Sequence, residues 1–163
     1  MLVNNAAFQS THSAVEELTN DDFDRAFKTN VYASFFLSRA ALHQMKPGGS
    51  IINTTSIQGF DPSGHLLHYP ATKGAIANMT KTLAEIAIEQ GVRVNGAAPG
   101  PVWTPLIPTT MPKKKVREFG KNTLFKRPGQ PAELAPVYVF LASPLASYVT
   151  GEIYGVTGGR MPL

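Results

Sequence analysis

The sequence predicts an α/β fold built on a parallel sheet, and three observations carry that prediction. Short apolar runs recur along the chain, at residues 1–3, 51–55, 92–98 and 152–157, each of strand length. Between them lie longer stretches whose apolar residues return every three to four positions, the period of a helix. The alternation persists from one end to the other, which favours a sheet covered by its helices over separate all-α and all-β parts.

Met1-Leu2-Val3 reads as a strand already under way, running straight into Asn4-Asn5-Ala6-Ala7. An asparagine pair after a strand also suits an ordinary turn. Thr19-Asn20-Asp21-Asp22 then supplies a helix N-cap and first-turn acids. Phe23, Phe27, Val31, Phe35 and Leu42 continue it as one helix, expected to stop near Lys46-Pro47-Gly48-Gly49. Asn30 is the polar exception beside Phe27 and Val31; it either bonds a neighbouring backbone group or has a functional role. Ile51-Ile52-Asn53-Thr54-Thr55 is a buried strand closing on Ser56, and a polar loop over residues 59–68 should wall a cleft. Tyr69-Pro70 opens the next helix, where proline at the first position loses no helical bond. Its apolar stripe is expected at Ala71, Ala75, Met79, Leu83 and Ile86, with Gly91 as the stop. Residues 92–98 form a strand ending in Pro99-Gly100. Proline-punctuated residues 103–124 read as a lid, with Trp103 a candidate wall of the pocket. A last helix runs from Pro131 through Leu141, and Pro136 should kink it or shift its start. Residues 152–157 make the final strand.

The chemistry concentrates between Ser56 and Lys73. Residues four apart share a helix face, so Tyr69 and Lys73 sit side by side on a helix that starts near Tyr69. A neighbouring ammonium favours the phenolate, and a tyrosine so placed is expected to have its pKa drawn down toward neutrality, as a general acid or base. Ser56 stands at the carboxyl end of a strand, where open α/β sheets gather their functional groups, and its hydroxyl is suited to hold a substrate oxygen.

Composition removes several other classes of function. The 163 residues are about one domain's length, 43% hydrophobic, with a formal charge of +4. There is no cysteine, hence no disulfide, thiolate nucleophile or cysteine-bound zinc. His12, His43, His65 and His68 lack metal-ligand spacing, and no metal is expected. Lys113-Lys114-Lys115 with Arg117 is the only dense basic run, too local for a nucleic-acid surface. With no apolar segment of membrane-spanning length and no leader-like start, the expected location is the cytoplasm, away from membranes.

Taken together, Asn4-Asn5-Ala6-Ala7, Asn30, Ser56, Tyr69-Pro70-Ala71-Thr72-Lys73 and Pro99-Gly100-Pro101-Val102-Trp103-Thr104 resemble the short-chain dehydrogenase/reductase family, in unbroken order over essentially the whole chain. Residues 127–143, RPGQPAELAPVYVFLAS, and 147–152, SYVTGE, look like its bacterial general-stress oxidoreductases. The resemblance implies a Rossmann-type three-layer sandwich and a catalytic set of Asn30, Ser56, Tyr69 and Lys73. Tyr69 would exchange the proton, Ser56 fix the substrate oxygen, Lys73 lower the tyrosine pKa and hold the nicotinamide ribose, and Asn30 hold a water leading from the lysine to solvent. NADP or NAD is the implied cofactor, beside Asn4, Ala6, Tyr69, Lys73, Pro99, Gly100, Val102 and Thr104. The implied substrate is a small alcohol, aldehyde, ketone or sugar. The helices carrying Asn30 and Tyr69 are those through which such proteins commonly form homo-oligomers, dimers or tetramers. Ala7 replaces the family's usual glycine, and Thr72 its frequent serine.

The resemblance also implies an incomplete fold. The family's first strands and the Gly-rich turn that receives a pyrophosphate have no counterpart here, so residues 1–163 correspond to the C-terminal catalytic portion of a Rossmann-type domain. Two classes of function follow: an NAD(P)-dependent oxidoreductase, or an inactive fragment or assembly-only subunit lacking the half that grips the cofactor.

Overall fold

In the computed structural model, which describes residues 1–159, a four-stranded sheet lies in simple sequence order with every neighbouring pair parallel. β1 (Leu2–Asn4) sets Leu2 opposite Ile51 of β2 (Ser50–Thr54). Ile51 in turn stands opposite Val94 of β3 (Arg93–Pro99), and Gly96 of β3 opposite Ile153 of β4 (Ile153–Val156).

The side-chain alternation of β2 defines the layers. On one face Ile51 packs with Val94, Ala84, Ala87 and Leu42, while the Asn53 amide donates to the Thr80 hydroxyl at 3.0 Å. On the other, the Ser50 hydroxyl donates to the Leu141 carbonyl at 3.0 Å, and Thr54 Oγ1 lies 2.8 Å from the Tyr138 hydroxyl. Both faces of β2 are therefore covered, as a parallel strand requires, while Val3 of β1, on the side of Leu141 and Tyr138, stays exposed; the expected three-layer α/β architecture is the one observed.

The long helix after β1 departs from the expectation of one regular rod. α1 (Asn20–Phe27) passes through a π-helical turn, Lys28–Tyr32, into α2 (Ala33–Leu42). Its start is as read, with Thr19 Oγ1 accepting the Asp22 N–H at 3.1 Å. The widened turn is centred on Asn30, a placement often associated with functional sites.

α3 (His68–Ala87) runs on through a 3-10 turn, Ile88–Gln90, that stops at Gly91, whose φ of +69° few other residues adopt without strain. Its buried face corrects the expected stripe. Thr72, Lys73, Ile76, Ala77, Thr80, Ala84 and Ala87 point inward, whereas Ala71 and Ile86 are exposed and Ala75, Met79 and Leu83 only half-buried. Hydropathy pointed to the wrong face because the inner one carries polar side chains with internal partners.

Residues 103–124 contain two short helices, α4 (Leu106–Thr110) and α5 (Lys113–Glu118). α6 (Pro131–Ala142) begins at Pro131 despite Pro136, because Gln130 and Glu133 form a capping box and Arg127 grips both Glu133 oxygens at 2.7 Å. Among the described residues, no helix is long and apolar enough to cross a membrane.

Candidate active site

β1, β2 and β3 open with their carboxyl ends onto one cleft of about 810 Å³. Ser56 enters it directly from β2. Its backbone is extended, and its Oγ caps the single turn Ile57–Gly59 by accepting the Gln58 N–H at 3.2 Å. That turn lies hard against α3: a Cβ on Gly59 would come within 2.9 Å of the Gly74 nitrogen and the Lys73 carbonyl carbon. Glycine is thus what lets the serine turn and the lysine helix approach.

Tyr69 lies in the first turn of α3 and lines the same cleft. The Lys73 ammonium sits 5.5 Å from the centre of its ring, the side-by-side placement expected of residues four apart. Lys73 is only 1% exposed, and its Nζ donates to the Thr54 carbonyl at 2.7 Å. The expected electrostatics need correcting. Burial pushes the Tyr69 phenol above its ordinary range, opposed by a hydrogen bond with Ser56 and reinforced by the nearby Tyr138. Lys73 is itself desolvated, which brings its pKa down to about 8. Tyr69 therefore holds its proton at neutral pH.

Asn30 is fully buried in the π turn. Its Oδ1 accepts the Phe8 N–H at 2.7 Å, and its Nδ2 donates to the Phe8 carbonyl at 2.9 Å and to Thr72 Oγ1 at 3.0 Å. The side chain clamps the loop after β1 to the helix of Tyr69, the backbone-bonding arrangement that was one of its two readings.

The asparagine pair divides between the two faces of the sheet. Asn4 donates to Asn53 Oδ1 at 2.8 Å and to Ser38 Oγ at 3.0 Å beneath the helices; it does not line the cleft. Asn5 does, and so does Ala6. Of the other residues expected beside a cofactor, Pro99, Gly100, Val102 and Thr104 all border the cleft.

Sequence reasoning missed the chain linking Tyr138, Thr54 and Asn5. Thr54 Oγ1 donates to Asn5 Oδ1 at 3.0 Å and so accepts from the Tyr138 hydroxyl at 2.8 Å. Strand alternation already implies that Asn5 faces away from Asn4, and Leu134, Tyr138 and Leu141 recur at helical spacing; those were the available signals. Gln9 and Gln58 also line the cleft and had no distinguishing pattern.

A parallel α/β sheet with a serine, a tyrosine and a buried lysine gathered at its strand ends has the Rossmann-type architecture of a dinucleotide-binding fold. A family model described as enoyl-(acyl carrier protein) reductase matches residues 1–160. The chain belongs to the short-chain dehydrogenase/reductase family. It is 47% identical over 160 residues to general stress protein 39 of Bacillus subtilis, covering 98% of this chain and 56% of that protein. It is 49% identical over 162 residues to NADPH-dependent aldehyde reductase 1, chloroplastic, of Arabidopsis thaliana, covering 99% and 56%. With glucose and ribitol dehydrogenase of Daucus carota the identity is 49% over 161 residues, covering 99% and 55%. Among solved structures, 3-ketoacyl-(acyl-carrier-protein) reductase from Brucella melitensis complexed with NADH superposes with a TM-score of 0.88 at 33% identity, covering 98% of this chain and 66% of that one. The chain spans about half the length of the curated relatives it matches.

Proposed function

We propose that this chain carries the catalytic site of an NAD(P)-dependent oxidoreductase that interconverts an alcohol and a carbonyl, with Tyr69 as the general acid and base. The observation that carries this reading is the convergence of the Ser56 hydroxyl, the Tyr69 phenol and the buried Lys73 on one cleft. In the reducing direction Ser56 holds the carbonyl oxygen by a hydrogen bond and Tyr69 donates its proton to that oxygen. The raised Tyr69 pKa keeps the phenol protonated at neutral pH, loaded for the reducing direction, while base action in the reverse direction needs that pKa lowered. Lys73, with a pKa of about 8, gives up a proton more readily than an exposed lysine and would reload the tyrosine.

A nicotinamide dinucleotide, when bound, supplies or removes the hydride. The cleft suits such a group: it lies at the carboxyl ends of a parallel sheet, is bordered by the small residues Ala6 and Gly100, and admits the Lys73 side chain. Ala6, Pro99, Gly100, Val102, Thr104, Tyr69 and Lys73 would hold it, and Asn4 would brace the strand behind. Asn30 would act by fixing Phe8 and Thr72 around the proton path and by supporting a water there.

The substrate class is a small alcohol, aldehyde, ketone or sugar, in keeping with relatives named as an aldehyde reductase and a glucose and ribitol dehydrogenase. Exposed Phe35, Phe36 and Leu37 on α2 and Ile86 on α3 support a homo-oligomer formed through these helices, which light scattering would test. A second reading is a site held without turnover. Incubating the purified protein with NADH or NADPH and a panel of aldehydes and sugars decides between them. Consumption of reduced cofactor supports the enzyme; saturable cofactor binding without consumption, or no binding, supports the second reading.

A further inference from the structure

His68 stands immediately before Tyr69, is fully buried, and has no part in the chemistry above. Its Nε2 accepts the Ser10 backbone N–H at 3.2 Å and lies 3.2 Å from the Ser10 hydroxyl, which is itself 3.0 Å from His12 Nε2. Its buried Nδ1 has no hydrogen-bond partner among the described residues. Accepting a backbone N–H requires a bare Nε2, so a neutral ring carries its hydrogen on Nδ1. Protonation would point an Nε2 hydrogen at the Ser10 N–H, donor against donor.

Ser10 belongs to a loop, residues 8–12, that is tied on three sides. Asn30 clamps Phe8, His68 holds Ser10, and the two residues flanking Ser10 reach the last residue of α4. Gln9 Nε2 donates to Thr110 Oγ1 at 2.8 Å, and Thr11 Oγ1 to the Thr110 carbonyl at 3.1 Å. α4 itself borders the cleft through Leu106 and Ile107.

We propose that His68 is a positioning residue: as a neutral acceptor it holds residues 8–12 as a strap that fastens α4 beside the cleft, and its protonation releases the strap. The closure of the cleft is then acid-sensitive, which goes beyond the proton transfer assigned to Tyr69.

The charged and titratable groups around His68 come from each element packed on it. His12 lies in the strap with its ring 5.6 Å away, and Asp22 and Arg25 come from α1, the latter stacked 4.3 Å over the Phe8 ring; Tyr69 and Lys73 share its own helix. Burial lowers the His68 pKa below its ordinary value of 6.5 and His12 lowers it further, while Asp22 raises it. Release therefore sets in below the usual imidazole range.

Two readouts test this without requiring turnover. Trp103, the only tryptophan, lies at the root of the lid with its ring 6.5 Å from Phe119, so its fluorescence reports the lid. Lys113-Lys114-Lys115 on α5 are exposed trypsin sites just beyond Thr110. The wild type should show an acid fluorescence step with far-UV circular dichroism unchanged. His68→Gln, whose amide oxygen accepts the Ser10 N–H but does not titrate, should keep the closed signal and lose the step. His68→Leu should be cut at the lysines at least about tenfold faster at neutral pH, the opening expected when a strap bond is lost. His12→Gln should move the step to higher pH. An acid step that persists in His68→Gln, a step that coincides with loss of circular dichroism, or unchanged cleavage in a folded His68→Leu would overturn the proposal. If His68→Leu does not fold, the step in the wild type and its loss in His68→Gln decide.

Discussion

Replacing Lys73 with methionine separates what this side chain does for the site from what it does to the fold. The fold lowers the Lys73 pKa from 10.5 to about 8 by burial. At about 1.4 kcal/mol per pKa unit, holding the charged form in the fold at neutral pH costs about 3 kcal/mol relative to an unshifted lysine. Its hydrogen bond to the Thr54 carbonyl, 2.7 Å long, offsets about 1.5–3 kcal/mol of that in the wild type. Lys73→Met should therefore leave stability at neutral pH unchanged or raised by up to about 2 kcal/mol, despite emptying a functional position. The pH dependence is the sharper test. Between about 8 and 10.5 the unfolded lysine binds a proton that the folded one has lost, so wild-type stability should rise across that interval by about 3 kcal/mol from this group. Urea unfolding at a series of pH values measures it. The variant should lack that rise; parallel wild-type and Lys73→Met curves would refute the burial argument.

Asn30→Ala removes three hydrogen bonds and strands both backbone groups of Phe8, so we expect a loss of about 2–4 kcal/mol in chemical unfolding. Asn30→Asp should be no milder, because a carboxylate oxygen would then face the Phe8 carbonyl, and comparison of the two unfolding midpoints checks this. Gly59→Ala places a methyl within 2.9 Å of the backbone of α3, which should cost about 1–3 kcal/mol. Because the same shift displaces Ser56, kcat should fall further than stability alone explains, as steady-state kinetics on the folded variant would show.

What the sequence made legible was whatever a local pattern encodes. Strand and helix alternation sufficed for the parallel sheet, the Thr19 cap for the start of α1, and the four-residue spacing for the meeting of Tyr69 and Lys73. The π turn was not legible, since Phe27 and Val31 fit a regular helix equally well and the extra residue shows only in the backbone, where the Ala33 N–H reaches the Lys28 carbonyl five residues back. The inner face of α3 was misread because Thr72, Lys73 and Thr80 are polar yet buried with partners, and a hydropathy stripe ranks such residues outward. The Tyr69 pKa was misjudged for a related reason: spacing shows that a lysine is near, while desolvation depends on everything else packed around the pair. Tyr138 is brought to the site from far along the chain, a contact that no local period encodes.

The most direct test of the central claim is a paired measurement on the purified protein and its Tyr69→Phe variant, following nicotinamide binding by fluorescence and carbonyl reduction by loss of reduced cofactor. Proton donation by Tyr69 predicts that both proteins bind cofactor alike and that the variant loses turnover by at least about a hundredfold. Turnover by Tyr69→Phe at the wild-type rate would contradict it.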